Sequence, residues 1–537
     1  MASTSNAAAA LEKKLPLRAK FGYGTVGLGT IANTMLATWQ AFFYTQFCNI
    51  DIATAGLIVS VGTIVAAFTA PVWGYISDRM YSTAFGRKFG RRRATLLLTA
   101  PFQFIFMLLQ FVPGLPVWSY FASNLFYWIF NGGYSTVQYV LPSEMSDNSS
   151  QRAQLVGINQ IAVAVASIAL ATINTALFLV WGDKTWQPYF NLTLIYDVFF
   201  LVIVIVGVFT IKERPYDPTT DFSEADSHDG EKVNPLKRVA LLVWNYVSTF
   251  AVKEFRSYLG MYLSEVMFRN VRGAILTYFL VFCLGLNSSQ VSLQSGISFA
   301  IGIALVAFFI WLNSKIGSSN SYRVGALEAC VVFLLMGCLY LFKEQIGQAG
   351  VIIGWIVLSV ALNFGITGVV NATDFAYSFI PDVDEVLTGK RREGQFASVN
   401  STIDNIFMAI EKIVITSALA AVGFQSGAET QPQNVLDILA AIFVFAPIAF
   451  CLLGVFFTTK VQLNEENRLV LANEIQRLRN GGSKADVDPE TKALVERLTG
   501  YPYEKCWGNN RIVNFSNKLE EDNGSEDLVG DPATAAE

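Results

Sequence analysis

The sequence is dominated by a succession of apolar runs, each long enough to cross a lipid bilayer. A membrane-spanning helix needs roughly 20 such residues to cover the hydrocarbon core. Of the 537 residues, 53% are hydrophobic and 15% are charged, whereas soluble domains are typically about 25% charged. The composition therefore predicts an all-α, multi-pass integral membrane protein. Twelve candidate transmembrane helices are found at residues 21–47, 52–77, 94–112, 117–140, 157–180, 189–211, 258–284, 291–313, 324–342, 351–377, 395–424 and 435–459.

Basic residues predict the orientation of these segments, because short loops rich in Lys and Arg stay on the cytoplasmic side. Most of them lie in loops after even-numbered segments, including the runs 87–93 and 390–392. The opposite side offers little beyond Lys184 and Lys343. Both termini are therefore predicted to be cytoplasmic.

A polar stretch, ERPYDPTTDFSEADSHDGEKVNP, separates six segments from six. A weak internal repeat supports this division, since Pro142 and Pro381 each follow the fourth segment of their half and precede an arginine by ten residues. The pattern indicates two six-helix bundles joined by a linker. The predicted parts are a cytoplasmic N-terminus (1–20), a first bundle (21–211), a cytoplasmic linker with an amphipathic helix (212–257), a second bundle (258–459) and a cytoplasmic helical tail (460–537).

The composition argues against several classes of function. His228 is the only histidine of the chain, so histidine-based catalytic triads and metal sites have no residue to use. The six cysteines show no metal-type pairing. A net charge of -4 argues against nucleic acid as a partner. We therefore expect neither an enzyme nor a bound metal or cofactor.

Four stretches of the sequence carry a family resemblance. GYISDR followed by GRKFGRRR comes directly after the second segment, KFGYGTVGLG opens the first, LPSEMSDNSSQRAQLVGINQ follows the fourth, and IPDVDEVLTGKRREG follows the tenth. Together they resemble the glycoside-pentoside-hexuronide:cation symporter family, the melibiose-permease-like branch of the major facilitator superfamily. The resemblance implies twelve helices in two bundles, alternating access to a central site, and a place in the bacterial cytoplasmic (plasma) membrane.

The loop after the second segment is predicted to form a cytoplasmic gate. Gly74 permits close helix approach, and Asp78 lies at the cytoplasmic end of a helix. Its carboxylate can accept charge-assisted hydrogen bonds from arginines such as Arg79 or Arg87. We expect these pairs to hold the inner gate closed and to break when the bundles rock.

The resemblance is that of a divergent member. In melibiose-type members two aspartates of the second helix, just before a proline, bind the coupling sodium ion; the corresponding residues here are Ala66 and Ala70. A hard cation needs oxygen ligands, which these alanines lack. The charged sugar-binding positions of the family fall near Ile31, Tyr134 and Gln160. The fold can therefore be carried over, but the chemistry of the site cannot.

Polar side chains inside the segments are the candidates for substrate binding. The fourth segment has a polar stripe at helical spacing, which is typical of a cavity for a hydroxyl-rich ligand. Hydrogen bonding between helices is the alternative for any one of them. The candidates are Thr30, Asn33 and Thr34 in the first segment, Tyr127, Asn131, Tyr134 and Gln138 in the fourth, Gln160 in the fifth, Arg269 and Arg272 in the seventh, and Asn371 in the tenth.

Charged residues within the segments are the candidates for ion coupling, because each costs about 2.5–3.5 kcal/mol on insertion scales. Glu411 is the first candidate, followed by Asp404, Glu265 and Asp374. A buried carboxylate that loses its arginine partner in one state can take up a proton near neutral pH. The alternative is a structural network of ion pairs.

These observations predict a monomeric secondary transporter that moves a glycoside or small oligosaccharide together with a proton. Its expected partners are that small molecule, the proton and the lipid bilayer. One alternative keeps the fold but has Arg269 and Arg272 bind an anionic solute, such as a uronide or another organic acid. The other alternative is a membrane sensor or scaffold that signals through its tail.

Overall fold

The structure is a computed structural model, and it describes residues 15–146, 149–211, 213, 243–244, 246–390, 392–462, 465–510 and 513. Every regular element in these residues is helical. Most of the predicted linker, with its amphipathic helix, lies outside the described residues, as do the outermost parts of both predicted termini.

The first half of the described residues forms a run of mostly long helices. They are α1 (Leu17–Gly27, Leu28–Ile31, Ala32–Met35, Leu36–Gln40 and Ala41–Gln46), α2 (Ile52–Asp78), the short α3 (Ala84–Phe89), α4 (Arg91–Leu109), α5 (Val117–Met145), α6 (Ser149–Trp181) and α7 (Gln187–Thr210).

The second half has a similar run of helices, followed by those of the tail. They are α8 (Lys253–Tyr278, continued by a π-helical turn at Phe279–Cys283), α9 (Ser288–Ile316), α10 (Ser318–Leu341), α11 (Lys343–Tyr377), the short α12 (Ile380–Thr388), α13 (Glu393–Ala421), α14 (Gln433–Thr458), and in the tail α15 (Glu465–Arg479) and α16 (Pro489–Thr499).

Local sequence signals explain where several helices begin and end. The Asp51 side chain accepts hydrogen bonds from backbone N–H groups in the first turn of α2. Asn287 and Gln290 form a capping box at the start of α9. In the tail, Asp488 caps α16 and Gly500 ends it in the left-handed conformation, with φ 79°.

Eight helical stretches in the described residues are long and apolar enough to cross a membrane: α2, α4, α6, α7, α8, α10, α11 together with α12, and α14. The chain is therefore an all-helical, multi-pass membrane protein. The long helix α13 is more polar, since it contains Asp404, Glu411 and Lys412.

Helix α1 changes its geometry twice along its length. A 3₁₀ turn at Leu28–Ile31 and a π turn at Leu36–Gln40 flank the short α-helical piece Ala32–Met35. Such irregular turns inside a helix frequently occur at functional positions. The piece between them carries Asn33 and Thr34, two of the predicted substrate-binding residues.

The two halves meet along two pairs of helices, α2 with α13 and α6 with α9. Glycines allow the close approach. A Cβ atom on Gly56 of α2 would come within 2.0 Å of the Thr416 hydroxyl on α13. A Cβ atom on Gly296 of α9 would lie 3.1 Å from the Ala171 methyl group on α6. Small residues at such contacts let helix backbones pack closely.

Candidate functional site

A cavity of about 190 Å³ lies between the two halves and is called the central cavity below. Asn33 and Gln40 of α1 and Thr63 of α2 line it from the first half, and Tyr278 of α8 and Lys412 of α13 line it from the second. Its lining combines apolar groups with a few polar ones, as small-molecule sites do. Ligand pockets usually measure about 300–1,000 Å³, so the central cavity is smaller than a typical one in this conformation.

Asn33 is the point where the polar residues of three helices of the first half meet. The Tyr127 hydroxyl of α5 donates a hydrogen bond to Asn33 Oδ1 at 2.5 Å. Asn131 Nδ2, one turn further along α5, donates to the same oxygen at 3.4 Å and to Gln103 Oε1 of α4 at 3.3 Å. Three of the predicted substrate-binding residues therefore form one network, and Asn33 connects that network to the central cavity.

Tyr134 belongs to the same polar stripe of α5 but lies in a different environment. It is fully buried, and its hydroxyl donates to the backbone carbonyl of Val26 in α1. Its ring packs 5.2 Å from that of Phe200 in α7. A Cβ atom on Gly29 would come within 2.1 Å of the Tyr134 hydroxyl, so a glycine is needed at that position. In this conformation Tyr134 holds helices together.

The remaining predicted substrate-binding residues are more scattered. Gln138 accepts a hydrogen bond at its backbone carbonyl, and Gln160 is exposed. Thr34 lines a second cavity of about 210 Å³ between α1, α6, α7 and α9. Asn371 donates to a carbonyl of its own helix, α11. The Thr30 side chain lies outside the described residues.

A cluster of charges in the second half surrounds Arg269 of α8. Arg269 Nε lies 3.2 Å from Glu265 Oε1, one turn earlier in the same helix. Asp374 of α11 and Asp404 of α13 are close enough to attract the same guanidinium group. The structure thus brings together three of the four predicted coupling carboxylates around one arginine.

Glu411 and Arg272 differ from that cluster because neither forms an ion pair with an arginine or an acid in the part of the chain that the structure describes. Glu411 is 6% exposed, and in the described residues neither of its carboxylate oxygens has a hydrogen-bond partner. Its polar neighbours are Asp404, Asn270 and Lys412. Within the same residues Arg272 Nε is buried without a hydrogen-bond partner. In the described residues Glu411 is thus a buried acid with no arginine in contact, and Arg272 has a buried Nε atom with no acid in contact.

The end of each half that carries the basic loops is called the basic end below. In the first half, Arg92 at the start of α4 pairs with Asp78 at the end of α2, with 2.7 Å between Nη2 and Oδ1. The same arginine donates to Glu144 of α5 at 2.7 Å and to the Ser77 hydroxyl at 2.8 Å. Arg92 is 4% exposed. One buried arginine thus fastens three helices together.

The structure corrects the predicted details of this loop. Arg87 does not turn toward Asp78; in the described residues it donates to the backbone carbonyls of Tyr81 and Ser82, because it lies in the short helix α3 that folds back on them. Arg79 lies over the Tyr75 ring at 4.3 Å. A Cβ atom on Gly74 would find its nearest neighbour at 3.9 Å, an ordinary contact. Close helix approach therefore does not require this glycine.

Glu213, just after α7, caps the helix that carries Arg92. Its carboxylate accepts from the backbone N–H groups of Arg92 and Arg93, at 3.3 and 2.5 Å. Burial raises the pKa of Glu213, and these hydrogen bonds oppose that rise. The start of the predicted linker is therefore tied to the basic end of the first half.

The basic end of the second half uses two arginines. Arg392, just before α13, donates to Asp384 of α12 with 2.8 Å between Nε and Oδ2, and to the Ser248 hydroxyl at 2.8 Å. The neighbouring Glu385 is 3% exposed and accepts from Arg479 Nε of the tail at 2.7 Å. The tail is therefore packed against this end of the second half.

Sequence reasoning missed Asp197, Arg92, Glu144 and Arg479. Asp197 was visible as a single acid in the apolar stretch TLIYDVFFL, but no helical pattern of polar residues accompanied it. The three others lie in charged loops and in the tail, where sequence shows the charge but not its partner.

The fold and the buried polar groups define a membrane transporter of the major facilitator type. The family model for MFS/sugar transport proteins matches residues 20–465. The chain belongs to that family, and the family predicted from the loop motifs is confirmed. It is a transporter and not an enzyme.

Curated relatives and solved structures agree with this assignment. The chain is 24% identical to the isoprimeverose transporter of Lactiplantibacillus pentosus, over 83% of this chain and 88% of the relative. It is 23% identical to the putative glycoside/cation symporter YagG of Escherichia coli strain K12, over 85% and 95%. Its fold is similar to that of the inward-open xylose transporter XylE from E. coli (TM-score 0.51, 15% identity, 87% and 99% covered). A proton-dependent oligopeptide transporter is similar as well (TM-score 0.56, 13% identity, 86% and 100% covered).

Proposed function

We propose that the chain is a proton-coupled symporter for a glycoside or small oligosaccharide. It works by alternating access, with twelve transmembrane helices in two bundles, both termini in the cytoplasm, and a place in the plasma membrane. The relatives named for isoprimeverose and for glycosides support this class of solute.

The observation that carries the proposal is the central cavity, which is lined by uncharged polar groups and has a buried acid beside one of its lining residues in the second half. Amides and phenols such as Asn33, Gln40 and Tyr278 can donate and accept hydrogen bonds with sugar hydroxyls. Glu411 is adjacent in sequence to Lys412, which lines the cavity. A solute and a proton can therefore bind close together.

The choice of the proton over sodium rests on the ligands that α2 lacks. Ala66 and Ala70 offer no oxygen side chain, so sodium finds no carboxylate there. Glu411 supplies a buried carboxylate that can take up a proton, because no arginine is in contact with it in the described residues.

The test is the substitution Glu411→Gln, which keeps the shape and removes the titration. In liposomes, the variant should fail to accumulate isoprimeverose against a gradient. It should still exchange labelled for unlabelled sugar, since exchange needs no net proton movement. Asp437→Asn is the matched control, because this acid is held by Tyr340 and Gln433 away from the cavity, and it should accumulate normally. Accumulation by Glu411→Gln would mean that the coupling proton binds at another residue, and Asp404 would be the next residue to test.

An anionic solute remains the second candidate, and Arg272 favours it. A guanidinium without a partner in the described residues matches the geometry of a carboxylate. Competition of a methyl glucuronide with isoprimeverose for uptake, lost in Arg272→Gln, would select this candidate. Competition by neutral glycosides alone would reject it.

A further inference from the structure

Asp197 of α7 is a carboxyl group in the interior of the first half that the transport scheme above does not use. It is 1% exposed, and its Oδ2 atom has no hydrogen-bond partner in the described residues. At about 1.5 Å rise per residue, it lies roughly 15 Å or more from either end of α7. Lipid headgroups are therefore remote from it.

The phenol of Tyr127 on α5 is close enough to Asp197 to interact with it electrostatically. Tyr196, the preceding residue of α7, accepts from Asn174 Nδ2 of α6. The charged residues of the helices packed on α7 lie in their first turns and not at this depth, namely Arg18 and Lys20 of α1, Arg91, Arg92 and Arg93 of α4, and Arg152 of α6.

In this conformation an ionised Asp197 would be a buried charge with no cation in contact in the described residues, and the nearby Tyr127 hydroxyl donates to Asn33 instead. Burying such a charge costs several kcal/mol even after the protein relaxes, whereas a neutral acid keeps a much smaller polar group in the same place. We infer that Asp197 is a second proton-binding site, occupied by a proton in this conformation and connected to the central cavity through Tyr127 and Asn33.

The connection depends on the single proton of the Tyr127 hydroxyl. That proton is donated to Asn33 Oδ1, so while Asp197 is neutral the amide oxygen of Asn33 is occupied. When Asp197 loses its proton, the carboxylate becomes the stronger acceptor for the same hydroxyl. Asn33 Oδ1 is then free to accept a hydrogen bond from a ligand in the central cavity. Protonation of Asp197 thus changes the hydrogen bonds that Asn33 offers.

The role of this switch in transport rests on the proposed function, but the protonation of Asp197 does not. The first measurement is therefore made without solute, by infrared spectroscopy of the purified full-length protein in D₂O at pH 7. The carbonyl stretch of a neutral carboxylic acid is separate from those of carboxylates and amides. The wild type should show this band, and in Asp197→Asn it should be weaker by the share of one carboxylic acid. Asp183→Asn is the control, because this acid lies in the loop between α6 and α7, and it should keep the band.

Isotope labelling of the wild type gives a test that does not depend on a variant, which can fail to fold. Protein made with ¹³C-aspartate should show the neutral-acid band at the isotope-shifted position. Absence of a neutral aspartate band in the wild type overturns the inference, whatever the variant does.

The link to the cavity is tested with Tyr127→Phe, which keeps the ring and removes the hydroxyl. Without that donor the carboxylate form loses its stabilising partner, so the neutral-acid band should persist to a pH at least one unit higher than in the wild type. A structural role for Asp197 alone would leave the midpoint unchanged, and that result removes the link. Because no solute is present, failure here is distinct from failure to transport isoprimeverose.

Discussion

The two halves of the molecule close their basic ends with arginine–carboxylate pairs, but the arginines come from different places. In the first half Arg92 belongs to the same helical unit as its partners Asp78 and Glu144. In the second half Glu385 is paired with Arg479, which lies in the tail beyond the last long helix. The ion pairs at the basic end of the first half therefore lie within that half, whereas one pair of the second half requires an arginine of the tail.

The contacts of Arg323 in the second half and those of the tail support this difference. Arg323, the first arginine after α9, donates to the Thr458 hydroxyl at 2.8 Å and to Asn320, and in the described residues it has no acid as a partner. The tail also donates backbone hydrogen bonds to α12, at 2.8 Å from Trp507 to the Val386 carbonyl. The family match ends at residue 465, before these contacts. The tail therefore packs on the second half from beyond the part of the chain that matches the family.

The largest effect is expected from Arg92→Met. Removing this buried cation breaks its pairs with Asp78 and Glu144 and its hydrogen bond to Ser77, and leaves Glu144 with Arg91 alone, at 2.9 Å. Breaking a buried ion pair costs up to about 3–5 kcal/mol when no other partner remains, so thermal unfolding of the purified protein should occur at a clearly lower temperature. Arg87→Met is the control, since its partners are backbone carbonyls of an exposed loop. Equal shifts in unfolding temperature for the two variants would mean that the buried contacts of Arg92 contribute no more stability than the contacts of Arg87.

A smaller effect is expected from Arg479→Ala. Its side chain is 51% exposed, so solvent weakens the pair, but Glu385 remains buried and loses a donor. A hydrogen bond to a charged group contributes about 1.5–3 kcal/mol, and the exposure of Arg479 lowers that contribution. Adding Glu385→Gln should recover part of the loss, and a double-mutant cycle of unfolding free energies measures the coupling. Purely additive effects would mean that the tail is not held by this pair.

The smallest effect is expected within the tail itself, at Lys492 and Glu504. Their side chains are both exposed and lie 2.6 Å apart. Exposed ion pairs contribute little because water and salt screen them. Lys492→Ala should therefore leave the unfolding temperature unchanged within error. A shift as large as that of Arg479→Ala would mean that the tail is stabilised from within and not by its contact with the second half.

The sequence could predict the long helices and the family, because hydropathy and the loop motifs are local signals. The predicted segment 189–211, for example, corresponds to α7 at Gln187–Thr210. The rotation of each helix could not be predicted. The stripe of α5 is continuous in sequence, yet Tyr127 contacts Asn33, which lines the central cavity, whereas Tyr134 contacts the Val26 carbonyl of the same helix, outside that cavity. Periodicity places residues on one face but does not say which neighbour that face meets.

The partner of Asp78 could not be predicted for a similar reason. Several arginines follow it within fifteen residues, and the short helix α3 and the turn at Gly90, with φ 94°, decide which of them returns to it. Only Gly adopts that conformation easily. The loop motif therefore identifies the presence of a charge network, and the backbone geometry selects Arg92.

Proton-coupled sugar transport is the central claim, and uptake into liposomes containing only this protein tests it most directly. Isoprimeverose uptake is measured with an imposed proton gradient, acidic outside, and separately with an imposed sodium gradient at equal pH. We predict accumulation above the external concentration under the proton gradient, unchanged when sodium is replaced by potassium or choline. Accumulation that requires sodium and ignores the proton gradient would contradict the claim, because it would mean that oxygen ligands other than those missing at Ala66 and Ala70 bind the coupling ion.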